Sequence, residues 1–290
     1  MTYGNSEGFF GSYEAAAHGL FSMPIAVDKG EMQTDYWSTA ARRQSDLEPA
    51  AAVGGEAARR ALRRLGSKRV PTCEVPVVFE AATARSLVSH LTSCITGGAI
   101  YRKTSFLAGA LAQQIASPLV HVIDDGRRPG GLGSKPFDGE GQATRRTAVV
   151  SGGTLENFLL DSYSARKLDM APTGSAARSP GGRPGASATN IWLEPGEQSL
   201  EEIIADTERG LFLTYLFGHG FNPTTGDFSR GAAGLWIEDG RLTHPVEEIT
   251  VAGNLGDMLQ NIDAVGNDIL WQSSVAAPSL RIAKMTVAGE

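Results

Sequence analysis

Residues 218 to 254, GHGFNPTTGDFSRGAAGLWIEDGRLTHPVEEITVAGN, constrain the fold more than any other stretch of the chain. Glycines stand at 218, 220, 226, 231, 234, 240 and 253, yet strand-like apolar runs bracket the segment. Glycine costs backbone entropy, so this density suits a chain that bends, takes positive φ or lies against another backbone. The pattern predicts closely packed strands that frame a site or an interface rather than a loose loop. From residue 211 onward LFLTYLFG, AAGLWIEDGRL and EEITVAG read as short strands separated by glycine turns.

The rest of the chain fits the same architecture. Residues 4 to 40 alternate polar and apolar residues and predict two or three short strands, with a turn at Asp28-Lys29-Gly30. Residues 53 to 65 have helical periodicity, with Ala57, Ala61, Leu62 and Leu65 on one side and arginines on the other. Pro71 and Pro76 close that unit. A buried strand over 75 to 79 and a helix over about 81 to 96 follow. LVHVID and RRTAVVSGG predict strands on either side of the Gly/Pro loop at 126 to 142, and 154 to 164 continues as strand or helix. Residues 171 to 190 have the composition of a disordered segment. A helix over 199 to 209 is signalled by Ser199 with Glu202 three residues later, and another covers 255 to 264. Strands over 269 to 273 and 280 to 287 end the chain. Strands in runs with few helices and no βαβ rhythm predict an α+β fold of mixed and antiparallel sheets.

With 290 residues the chain can bury a full core. A net charge of −6 argues against a nucleic-acid surface. Two cysteines, Cys73 and Cys94, are too few for a disulfide framework, and reduced thiols in the cytoplasm are the expectation. No apolar run reaches the roughly 18 residues of a membrane span, and the first residues lack the pattern of a signal peptide.

Several side chains have the chemistry of a site. His90 and Cys94 share a helical face at i, i+4, which suits half a metal site or a Cys–His pair. They equally suit a packed histidine and a small buried hydrophobe. Arg166 and Lys167 carry the charge to hold a carboxylate of a substrate or partner, or form a solvated basic turn. Asp138 and Glu140 read as paired carboxylates or as turn and cap residues. Asp227, Ser229 and Arg230 line a peptide groove in one reading. In the other, Asp227 caps a turn and Ser229-Arg230 serves a dimer contact.

Several blocks together resemble the TldD/TldE (PmbA) metalloprotease family. These are GFFGSY at 8 to 13, MQTDYWSTAARRQSDL at 32 to 47, GLGSKPFDGEG at 131 to 141, YSARKL at 163 to 168 with Thr173-Gly174, the 218 to 254 stretch and the closing MTVAGE. The resemblance implies a family-type C-terminal domain over 69–290. It also implies a remnant over 1–68 of an N-terminal α/β region that is largely missing, whether the chain is a fragment or a short form. Catalytic TldD-type chains carry His-Glu-x-x-x-His ahead of a Gly-x-x-x-Arg-Lys stretch, which Gly98, Arg102 and Lys103 match. Counting back places Ser89, His90 and Cys94 at the first His, the Glu and the second His. Serine is a poor zinc ligand, and a histidine cannot act as the same base as glutamate. The family's C-terminal ligand cysteine has no counterpart, because no cysteine follows Cys94. Thr189 stands where the family has His before Asn190, and His219 where it often has Gln.

The resemblance therefore implies the TldE/PmbA branch. That is a subunit of a cytoplasmic metalloprotease acting on unfolded or modified peptides, with no catalytic residue, metal or cofactor of its own. Zinc is expected on a TldD-like partner, and a homodimer is the other assembly left open. Nucleic acid and membrane are not expected as partners. The alternative is a non-enzymatic modulator linked to DNA gyrase or an antitoxin.

Overall fold

The computed structural model describes residues 1–179 and 181–289. It is an α+β fold built on two sheets and one long helix between them. The strand Cys73–Phe79 occupies the middle of the larger sheet. Val75, Val77, Val78 and Phe79 are all buried, as expected for a β-branched strand covered on both faces. On one side it pairs in parallel with Arg209–Phe217, through Leu211↔Val77 to Leu213↔Phe79. On the other it pairs antiparallel with Leu280–Ala288. Pro76 does not close a unit but sits inside this strand. It is tolerated because the ladder with 280–288 slips between Ile282 and Met285, and the parallel ladder starts only at Val77.

The glycine-rich stretch supplies the next two strands, Asp227–Glu238 and Arg241–Asn254, which form a long hairpin beside 209–217. Its outer strand also pairs with 280–288 through Thr250↔Ala288, Val251↔Val287 and Ala252↔Thr286. Five strands thus form a closed ring, with Ile262–Val265 added outside it. The glycines permit this curvature. A Cβ at Gly234 would meet the Phe212 carbonyl oxygen at 2.0 Å, and one at Gly220 would meet that of Ser229 at 1.6 Å. Neither backbone could approach so closely with a side chain in place.

The second sheet is ordered Thr154–Leu155, Arg146–Ser151, Val122–Asp125, Ile191–Leu193 and Val275–Ala276. Between the sheets runs the helix Ala81–Ile95. Ala84, Leu87, Val88, Leu91, Cys94 and Ile95 recur at helical spacing and join the main core. Full burial of each large aliphatic chain contributes about 1.5–3 kcal/mol. Thr96, in extended conformation, ends the helix ahead of the short turn of helix Gly97–Tyr101. Gly97 is required there, since a Cβ would meet Ser164 Oγ at 2.1 Å.

The N-terminal residues form the hairpin Ile25–Asp28/Glu31–Thr34, turned through Lys29 and Gly30 at positive φ, and the pair His18–Ser22/Trp37–Ala41. The next helix spans Ala50–Leu62, and its buried side differs from the expected one. Arg60 is 2% exposed while Leu62 is exposed. Helix Leu200–Ala205 has the full Ser199/Glu202 capping box but stops early, because residue 209 starts a strand. Helix Leu255–Gln260 also stops early, because 262–265 pairs with 280–282. Of the expected strand over 269 to 273, only a bridge between Leu270 and Ala277 forms. Residue 180, in the stretch of disordered composition, lies outside the described residues. On either side of it Ala176–Ala177 pairs with Gly185–Ala186. Among the described residues no helix is long and apolar enough to cross a membrane.

Candidate functional site

The exposed side of helix Ala81–Ile95 faces a cleft of about 550 Å3. Ala82, Arg85, Ser86, Ser89 and His90 line it from the helix, Thr214, Tyr215 and Leu216 from the ring, and Arg230 from the hairpin. Tyr36 and Trp37 come from the N-terminal part, Gln272 and Ser273 from the segment before the last strands.

Two of the candidate metal-motif positions, Ser89 and His90, and one candidate contact residue, Arg230, therefore meet in one cleft. Ser89 Oγ donates to the Arg85 carbonyl, 3.1 Å away. The His90 ring lies against Phe221 at 4.3 Å, with Phe228 edge-on at 5.9 Å. Its Nε2 is buried with no hydrogen-bond partner among the described residues. Burial, and then the charge of Arg230, push its pKa down to about 4. Cys94 is fully buried on the inner side of the helix, and burial pushes its thiol up to about 11. Its Sγ makes long contacts, at 3.9 Å, to the Pro223 carbonyl and to Ser93 Oγ.

This donor set does not fit zinc. Zinc takes thiolate, imidazole or carboxylate donors converging at about 2.0–2.3 Å. Here the serine bonds its own helix, the thiol is buried in the core, and a guanidinium beside the imidazole repels a cation. Among the described residues no three His, Cys, Asp or Glu side chains are grouped to hold a metal ion.

The remaining candidates lie elsewhere. Arg166 and Lys167 are exposed on the helix Ser162–Leu168, with Lys167 over the Tyr163 ring at 5.6 Å. Asp227 is exposed at the start of its strand, where Thr225 Oγ1 donates to it at 2.6 Å. Ser229 is exposed on the same strand, and its amide donates to the Gly220 carbonyl at 2.7 Å. Asp138 organises its loop: Oδ1 accepts from the amides of Glu140 and Gln142, and Oδ2 from that of Ala176. Glu140 accepts from the Ser162 amide. Thr189 donates through its amide and hydroxyl to Asp124 Oδ1 at 2.7 and 2.9 Å. His219 is exposed.

The cleft also holds residues that the sequence reading passed over. Arg60 is clamped by Glu80 through two hydrogen bonds of 2.8 and 2.7 Å, stands 3.5 Å from Asp35, and lies over the Trp37 ring at 5.2 Å. Its charge is thus matched. Arg85 has no carboxylate partner among the described residues, and its one side-chain contact is Tyr36 Oη at 3.4 Å. One signal for Arg85 was available: Ala82, Arg85, Ser86 and Ser89 repeat at spacings of three and four, marking a polar stripe opposite the core face.

Taken together, these features define a member of the PmbA/TldD family, and the chain belongs to it. The model of the PmbA/TldA metallopeptidase C-terminal domain matches residues 72–289, and that of the central domain residues 1–65. The chain is similar to Metalloprotease PmbA of Escherichia coli, with 40% identity over 99% of this chain and 62% of that one. It is 36% identical to a Metalloprotease PmbA homolog of Haemophilus influenzae, again over 62% of the relative's length. The chain therefore spans under two thirds of these curated relatives. Among solved structures it matches a candidate modulator of DNA gyrase from Thermotoga maritima with a TM-score of 0.91 and 34% identity, over 98% of this chain and 65% of that one. It shares the fold of TldE from Thermococcus kodakarensis, with a TM-score of 0.89 and 23% identity over 98% of this chain and 65% of that one.

Proposed function

We propose that this chain is a TldE/PmbA-type subunit of a cytoplasmic TldD/TldE-type metalloprotease, without a zinc site of its own. It encloses unfolded or modified peptides for cleavage at zinc held by a TldD-like partner. The observation that carries the reading is the chemistry at 89, 90 and 94. A serine bonded to its own helix, an imidazole packed against Phe221 and a buried thiol stand where a catalytic relative needs two zinc ligands and a base. The chain's part is then to bind and exclude water, not to activate it.

The test is affinity capture of the tagged chain from cells, followed by zinc quantification. The expected result is co-purification of a chain carrying His-Glu-x-x-x-His, with stoichiometric zinc only when that partner is present. The purified chain alone should cleave no peptide. Peptidase activity from it, abolished by Cys94→Ala, would overturn the proposal. The gyrase wording attached to the Thermotoga maritima structure supports a second reading, a non-enzymatic modulator. Capture of gyrase or an antitoxin in place of a protease partner would favour it.

A further inference from the structure

We infer that the cleft beside Ser89 and His90 is a carboxylate-binding pocket, held open for the carboxylate of a bound peptide by Arg85 and Arg230. The inference rests on the peptide-binding role proposed above, and adds the group that the chain recognises.

The argument is one of unmatched charge. Three arginines line the cleft, and no Asp or Glu does. The carboxylates just behind the wall are engaged: Glu80 holds Arg60 and Arg63, and Asp35 lies against Arg60. Arg85 and Arg230 are left with single long contacts to neutral oxygens, Arg85 Nη2 to Tyr36 Oη and Arg230 Nη2 to the Leu216 carbonyl, both at 3.4 Å. Arg230 is half-buried, and its Nε is buried with no partner among the described residues. A guanidinium carries five donors in a fixed fork. Leaving most of them idle in a partly desolvated cleft is costly unless a ligand completes them.

Other polar groups of the lining are already engaged. Ser86 and Ser89 bond their own helix, and Gln272 donates to the Ser38 carbonyl at 2.7 Å. The unmatched charge of the lining is therefore positive and carried by guanidinium donors, which selects an anion. A planar carboxylate suits a guanidinium fork through paired N–H···O bonds. Tyr36, Trp37 and Tyr215 give the cleft an aromatic side for the residue that carries the carboxylate. The walls come from segments far apart in sequence, so the pocket exists only in the folded chain.

A carboxylate can come from a chain terminus or from an Asp or Glu side chain. Three fluorescein-labelled unstructured peptides separate these sources. One has a free C-terminus and no acidic residue, one is its C-terminal amide, and one is an amide with a single internal Glu. Binding to the purified full chain is followed by fluorescence anisotropy at low salt. At least one carboxylate peptide should bind about tenfold more tightly than the uncharged amide, the worth of one charge-assisted hydrogen bond. Arg85→Gln with Arg230→Gln should abolish that preference, and Arg241→Gln, at the exposed start of its strand, should preserve it. Circular dichroism checks that each variant is folded, and each single arginine variant is measured beside the double one. Equal binding of all three peptides, a preference that survives the double substitution, or no binding at all would overturn the inference. The subunit proposal has its own test, since capture of a zinc-carrying partner does not depend on a free peptide.

Discussion

The imidazole of His90 lies 4.3 Å from the ring of Phe221, at an interplanar angle of 32°. The contact joins the helix Ala81–Ile95 to the segment that leads into the glycine-rich hairpin and helps to bury the imidazole Nε2. The folded pKa, about 4, is below the unfolded value of about 6.5. The unfolded chain therefore binds more protons at His90 between these two values. Stability from a neutral His90 is complete above about pH 6.5 and is lost as the pH falls toward about 4. Asp124 acts in the opposite sense: burial raises its pKa to about 6, so it favours the folded state as acid is added through that range. Comparison of His90→Gln with the parent isolates the histidine. Urea unfolding at about pH 7 and about pH 4.5 should show the parent losing on the order of 1 kcal/mol more than the variant, allowing for solvent screening. Equal losses would rule out a buried neutral imidazole.

Arg60 forms a buried ion cluster in the cleft wall with Glu80, at 2.7 Å, and with the fully buried Asp35, at 3.5 Å. Arg60→Met leaves Glu80 and Asp35 without their shared counter-ion. The expected cost is about 3 kcal/mol, because an uncompensated buried charge remains. Lys in place of Arg should recover only part of this, since it cannot bond both Glu80 oxygens from one fork. Chemical denaturation of the two variants checks the order.

The two thiols should differ sharply in reactivity. Cys94 is buried and its pKa is raised to about 11, whereas Cys73 is half-buried. Only the thiolate attacks alkylating reagents. Iodoacetamide on the native chain should modify Cys73 first, with Cys94 protected until denaturant is added. Peptide mapping by mass spectrometry reads the outcome, and early modification of Cys94 would contradict its place in the core.

Gly220→Ala places a methyl group 1.6 Å from the Ser229 carbonyl oxygen, a backbone atom that can yield only if the hairpin moves. The expected loss is about 2–3 kcal/mol. The 220–229 contact should also open, seen as faster hydrogen exchange of the Ser229 amide. Gly54→Ala is the contrast, since nothing stands near its added methyl within helix Ala50–Leu62. It should be neutral or stabilising by up to about 1 kcal/mol.

Local signals were legible wherever one element contains its own cause. The Ser199/Glu202 capping box, the Lys29-Gly30 turn and the apolar stripe of 81–95 all behave as their residues predict. What failed was decided by distant partners. Helical periodicity puts the arginines of 50–62 in water, but Glu80 and Asp35 draw Arg60 inside. The helical pattern of 255–264 yields after Gln260, because 262–265 finds a partner in 280–282. The cleft was the least legible feature. Its walls come from residues 36–37, 60, 82–90, 214–216, 230 and 272–275, and no spacing rule links such segments. Only Ser89 and His90, as positions of the metal motif, and Arg230, as a contact residue, stand out in the sequence.

The closing of the ring by Leu280–Ala288 has a consequence for how the molecule is made. Cys73–Phe79 has no neighbour in sequence to pair with: both its flanking strands, 209–217 and 280–288, are synthesised much later. Until then a run containing Val75, Val77, Val78 and Phe79 offers two bare edges to any other chain. High contact order of this kind makes folding slow and the waiting state prone to association. A chain cut before Leu280 loses one partner of Cys73–Phe79 and the bond that closes the circle on 241–254. What such a truncation leaves is an open, adhesive sheet and not a smaller version of the protein.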